Sequence, residues 1–123
     1  YPTGSHWGSD SHWWSPVLGG GSECAGFAYM VSDKIFGNLP AYEVQLESTR
    51  VGDVMKNGPG NHKKIVLNDY GKDVFEGVNY TDSYTSADGN VGGKVEWGCV
   101  HYYADWPMGT KGTVIYSRYP KEN

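Results

Sequence analysis

Only one stretch of this chain carries the period of a helix, and glycine brackets it. Cys24, Phe27, Ala28, Val31 and Ile35 recur at offsets 0, 3, 4, 7 and 11, one apolar face of a helix over residues 23–36. Ser22 stands at the N-cap, and Glu23 favours the dipole in the first turn. Gly37, followed by Asn38 and Pro40, stops the helix. A lone helix has to bury its face against strands. From Val51 onward the sequence offers them: VGDVMKN, HKKIVLND, KDVFEGVN, KVEWGCVHYY and TVIYSRY. The segments NGPGN, DYGK, TDSY, GNVGG and PMGTKG separate them with turn chemistry. One helix and then an antiparallel sheet predicts an α+β fold. Residues 1–22 read as irregular, with their three Trp covering a core or lining a groove, and residues 41–48 read as a weak helix or loop.

Length and composition set the bounds. The 123 residues make one domain, 1–123. Ten Tyr, five Trp and three Phe exclude a disordered chain, since such side chains need a core. No apolar run approaches the ~18 residues of a membrane span. The net charge of −4, with Lys63-Lys64 as the densest basic cluster, argues against nucleic acid as a partner. No CxxC, HxxxH or HExxH occurs, so neither a metal nor another cofactor is expected. Because the chain starts at Tyr1, it is expected to be processed or excised from a larger protein. A monomer is expected.

Cys24 is the strongest chemical clue. A thiol in the first turn of a helix has its thiolate stabilised by the dipole and by free N–H groups. The same N–H groups can hold an oxyanion, and the preceding glycines let a substrate backbone approach. The plainer alternative is a small core residue near a helix start. A nucleophile needs a base, and His62 begins the strand HKKIVL just after a turn, at a sheet rim. His6 and His12 lie in the irregular segment, and His101 reads as packing. A base needs an orienter for its second ring nitrogen. Asp88 and Asn90, two apart in Asp88-Gly89-Asn90, share a face if that segment is extended, although the tripeptide also reads as a turn.

The order of Cys on a helix, His on a strand, then an acid-x-Asn unit resembles the papain-like superfamily of CHAP amidases and NlpC-type cell-wall peptidases. The closer similarity is to the cysteine-peptidase-like domains of bacterial surface proteins with Ig-like repeats. It is carried by YPTG, GGGSECAGFAYMVSDKIFGNLP, RVGDV, HKKIVL, ADGNVGGKVEWG and SRYP, in order along nearly the whole chain. The resemblance implies a papain-like α+β fold whose N-terminal helix carries Cys24 against an antiparallel sheet. It implies Cys24 as nucleophile, His62 as base, and Asp88 with Asn90 as the orienting unit, Asp replacing the family's Glu. Glu76 and Asn79 form a competing acid–Asn pair. The implied activity is amide hydrolysis through an acyl-thioester, on peptidoglycan peptides, by a secreted or surface-attached bacterial protein.

Two other classes use the same residues. A silent domain would grip glycan or peptide with Trp7, Trp13, Trp14, Trp97 and Trp106, and a Cys24–Cys99 disulfide would favour it. An acyl transferase would share the catalytic set. By strand alternation Cys99 is expected on the face of Val95 and Trp97, as a buried, inert core thiol.

Overall fold

The computed structural model describes residues 1–45, 48–56, 62–67, 83–102 and 113–121. Helix α1 spans Glu23–Phe36, where the periodicity puts it. Gly37 ends it at φ 63°, a region that disfavours a Cβ, and donates its N–H to the Asp33 carbonyl at 2.8 Å. Phe27, Ala28 and Val31 are buried, but Ile35, at the end of the same face, is 54% exposed.

Two strands precede the helix. β1 (His12–Ser15) and β2 (Gly19–Ser22) pair antiparallel as a hairpin. After the helix come β3 (Tyr42–Val44), β4 (Val54–Lys56), β5 (Lys63–Val66), β6 (Ser83–Val91), β7 (Lys94–Tyr102) and β8 (Val114–Ser117). These six form one sheet in the order β3-β8-β4-β5-β6-β7, with every neighbouring pair antiparallel. Gly92 and Gly93, at φ 60° and 80°, join β6 to β7 in the positive-φ geometry that a two-residue hairpin loop favours.

The α+β expectation, and with it the papain-like architecture, is overturned. Among the described residues there are eight strands in two sheets and a single helix, and that helix is not the first element. Residues 12–22 are a hairpin, not irregular chain. Their polar and glycine-rich sequence hides the strands because Gly21 lies directly against the helix, where a side chain would not fit. Residues 42–44 alternate Tyr-Glu-Val and pair with β8, so the weak helix anticipated there is an edge strand. The segments KDVFEGVN, NGPGN, DYGK and PMGTKG lie outside the described residues.

Trp7, Phe27, Ala28, Met30, Val31, Val54, Ile65, Ala87 and Val95 make the core between helix and sheet. Trp7 meets Phe27 edge-on, with centroids 5.7 Å apart, and Trp97 also meets Phe27 edge-on at 5.9 Å. The N-terminal segment lies along β7: Gly4 N–H donates to Val95 O, Val95 N–H to Ser5 O, and Trp7 N–H to Gly93 O. It thereby occupies backbone groups on a strand that would otherwise end the sheet. No helix among the described residues is long and apolar enough to cross a membrane.

Candidate active site

The junction between β2 and α1 builds the first part of the site. A Cβ on Gly21 would fall 2.7 Å from Tyr29 and 2.9 Å from the Ala25 backbone, and one on Gly26 would fall 2.6 Å from the Gly21 carbonyl oxygen. The hairpin backbone therefore rests on the first helical turn. The chain enters that turn through Glu23 at φ 56°, a conformation unusual for a residue with a Cβ. Two bonds hold it there: Glu23 N–H donates to Ser11 O at 2.9 Å, and Trp7 Nε1–H donates to Glu23 O at 2.7 Å. Cys24 follows, half-buried.

The Cys24 sulfur is hydrogen-bonded to the His62 ring and accepts the backbone N–H groups of Lys63 and Ala25. Burial pushes its pKa up, but the His62 contact and the two N–H groups outweigh burial and hold it below the ordinary thiol value. His62 immediately precedes β5, and its Nε2 bonds Asp88 Oδ2. That leaves Nδ1 for the sulfur. The hydrogen bond to Asp88, then that to Cys24, raises the His62 pKa to about 9 against the opposing effect of burial. Each partner thus favours the charged form of the other, thiolate on Cys24 and imidazolium on His62.

Asp88 is 2% exposed. Burial pushes its carboxyl up, yet bonds from His62 and Ser86 and the nearby charges of His62 and Lys64 hold it below the usual value. Its Oδ1 accepts the Ser86 hydroxyl. Ser86 and Asp88 share a strand face by alternation, and the β5–β6 register (Ile65 opposite Ala87, Val66 opposite Ser86) brings that face beside His62 and Lys64. Lys64 is 1% exposed, and burial lowers its pKa to about 8.

The structure thus separates the two expected orienters. Asp88 holds His62. Asn90 sits at φ 59°, inside the register shift between Asp88 and Val91, and among the described residues makes no hydrogen bond to the ring. The irregular backbone breaks the alternation that would have put both on one face. Glu76 and Asn79 lie outside the described residues.

Cys99 also departs from expectation. Ser86 opposes Cys99 while Ala87 opposes Trp97, so Gly98, at φ 81°, is an extra residue in β7. Val95 and Trp97 stay on the side of Phe27, while the bulge turns Cys99 off that face, half-buried near Asp88 instead of in the apolar core. Burial first, and then the Asp88 charge, push its thiol up to about 12. It donates to Glu96 O at 3.9 Å. Both cysteines are free, so the disulfide that would favour a silent domain is absent. Among the described residues the tryptophans do not form one gripping surface either. Trp7 is 4% exposed in the core, Trp13 Nε1–H donates to Asp33 Oδ2 at 2.7 Å, and Trp106 lies outside the described residues.

Sequence reasoning missed Ser86 and Lys64. Ser86-x-Asp88 carried a usable signal, since two polar residues two apart share a strand face. No family model matches the chain, and no curated protein or solved structure is significantly similar to it.

Proposed function

We propose that this chain is a thiol hydrolase that cleaves an amide bond with Cys24 as nucleophile, His62 as proton carrier and Asp88 as the group that orients and charges the imidazole. The observation that supports it is the continuous hydrogen-bonded chain from the Cys24 sulfur through His62 and Asp88 to Ser86. A nucleophile, a base on the nucleophile and an orienter on the base are the minimal parts of covalent acyl chemistry.

In the first half-reaction the Cys24 thiolate attacks the carbonyl carbon. The N–H groups of the first helical turn, Cys24's own among them, receive the oxyanion. Protonated His62 gives its proton to the leaving nitrogen, the C–N bond breaks and an acyl-thioester remains. His62, now neutral, takes a proton from water as the hydroxide equivalent attacks the thioester. The C–S bond breaks, releasing a carboxylic acid and restoring the thiolate with protonated His62. Asp88 stays ionised throughout and stabilises the imidazolium.

Peptide stems or cross-bridges of peptidoglycan are the substrate that the sequence resemblance implies, acted on by a secreted or surface-attached protein. The test is digestion of purified cell wall, with Cys24→Ala as control and release of new amino termini as readout. Release by the wild type alone supports the reading. Equal release by both proteins, or none from cell wall and from a panel of peptide amides, overturns it. An added amine acceptor in the same assay distinguishes transfer from hydrolysis.

A further inference from the structure

We infer that the cavity lined by Lys56 and Lys63 is a subsite for a substrate carboxylate, so that the enzyme selects acidic peptides; this rests on the hydrolase reading above. The cavity holds about 440 Å³, the size range of small-ligand sites, and Tyr29, Tyr42, Glu43, Lys56, Lys63 and Tyr116 line its polar part. Lys63 connects it to the nucleophile. The Lys63 N–H bonds the Cys24 sulfur, while its ammonium reaches Tyr29 Oη at 3.1 Å and lies 5.4 Å from the centre of that ring. A group bound at the ammonium therefore lies within one residue's reach of the reacting sulfur.

Lys56 and Lys63 are directly opposed across β4 and β5, and both are half-buried. Like charges in that position repel and destabilise a sheet. Among the described residues neither has a carboxylate within ion-pair distance. Lys63 is instead held on a phenol, which orients the ammonium without neutralising it. Two opposed cations in a cavity suit one ligand that bridges them, and a carboxylate does so with two oxygens. Glu43, on β3, contributes one opposing charge, leaving the described lining positive by one.

The experiment uses synthetic peptide amides with Glu, or its isostere Gln, beside the scissile bond, on either side. The wild type is expected to prefer one Glu peptide by roughly 10-fold or more in kcat/KM, as a charge-assisted bond would give. The preference is expected to collapse to near parity in the Lys56→Met/Lys63→Met double variant, and to grow in Glu43→Gln. Equal rates on Glu and Gln peptides in the wild type, or a preference that survives the double variant, overturn the subsite. Binding of the same peptides to Cys24→Ala separates the two readings. If no peptide is cleaved but Cys24→Ala binds the Glu peptide selectively and loses that selectivity on removal of the two lysines, hydrolysis falls and the subsite stands. If peptides are cleaved without charge selectivity, the subsite falls and hydrolysis stands.

Discussion

Gly89 lies hard against Phe27: a Cβ at Gly89 would sit 2.3 Å from the Phe27 Cβ and 2.8 Å from its Cγ. This approach presses β6 onto the helix that carries Cys24. Asp88, the preceding residue of β6, bonds His62.

Gly89→Ala is therefore expected to damage both stability and site. The neighbour is a side-chain base packed under Trp7, not a flexible tip, so relief requires strand and helix to part. Overpacking of this kind costs about 1–3 kcal/mol. Denaturant unfolding should show that loss, and Cys24 alkylation should need higher pH as Asp88 retreats. An Ala variant of wild-type stability would mean that β6 is not held at this contact.

The helix was legible because its apolar spacing and Gly37 agree, and Cys24 and His62 were legible because each has a chemical reason to stand where it does. Strand β6 was not. Tyr84-Thr85-Ser86-Ala87-Asp88-Gly89 has no apolar alternation: Ala87 and Gly89 are small because the helix lies over them, and Ser86 and Asp88 are polar and bond each other and His62. Hydrophobic period cannot find a strand built this way. Nor can residue counting foresee the irregularities at Gly98 and Asn90, which decide where Cys99 points and which orienter reaches His62.

Asp88→Asn and Asn90→Ala are expected to differ in kind. The first removes the charge that holds the imidazolium and should lower kcat by roughly 10²-fold or more. The second should leave kcat within about threefold while costing about 1 kcal/mol, since Ala tolerates φ 59° less well than Asn. Asn90→Gly should recover that stability. A larger kcat loss at Asn90 than at Asp88 would reverse the assignment.

Thiol chemistry should follow the contacts. Iodoacetamide is expected to label Cys24 well below the pH an ordinary thiol needs, because its pKa is lowered, and to spare Cys99, whose thiol is pushed up to about 12. One thiol should therefore react in the native protein and two after unfolding. His62→Ala should move Cys24 labelling to higher pH. An unchanged profile would sever the pair.

Stability should depend on pH through His62 with a definite sign. In Cys24→Ala the bond to Asp88, the largest cause of the raised His62 pKa, is retained. A raised folded value means that the imidazolium contributes stability fully below its unfolded value of 6.5. That contribution fades as pH rises through the folded value, which is about 9 with Cys24 in place. Melting temperature should fall across this window in Cys24→Ala and lose the slope in Cys24→Ala/Asp88→Asn. Asp88 acts in the opposite direction: its lowered carboxyl contributes above 3.8 and is lost as acid protonates it. Parallel melting curves for the two variants from neutral pH upward would show that the His62–Asp88 bond has no part in folding stability.

Arg118 offers a change that should weaken the fold and leave the chemistry alone. It is 2% exposed just beyond β8, at the far end of the helix from Cys24. Its Nη1 pairs with Asp33 Oδ1 at 2.5 Å and bonds Ser32 Oγ at 3.2 Å, its Nη2 bonds Gly37 O, and its Nε bonds Leu39 O at 2.9 Å. The guanidinium thus satisfies carbonyls at the helix end and ties them to the sheet. Asp33 also accepts from Trp13 and Ser15, so the same carboxylate anchors the β1–β2 hairpin. Arg118→Met keeps the bulk but leaves a nearly buried carboxylate short of its countercharge, a loss of about 3–5 kcal/mol. Urea unfolding should show that drop, with Arg118→Met/Asp33→Asn recovering part of it because the stranded charge is gone. At temperatures where the variant is still folded, Cys24 should alkylate with the wild-type pH profile. A shifted profile would mean that the helix transmits strain from its end to the nucleophile.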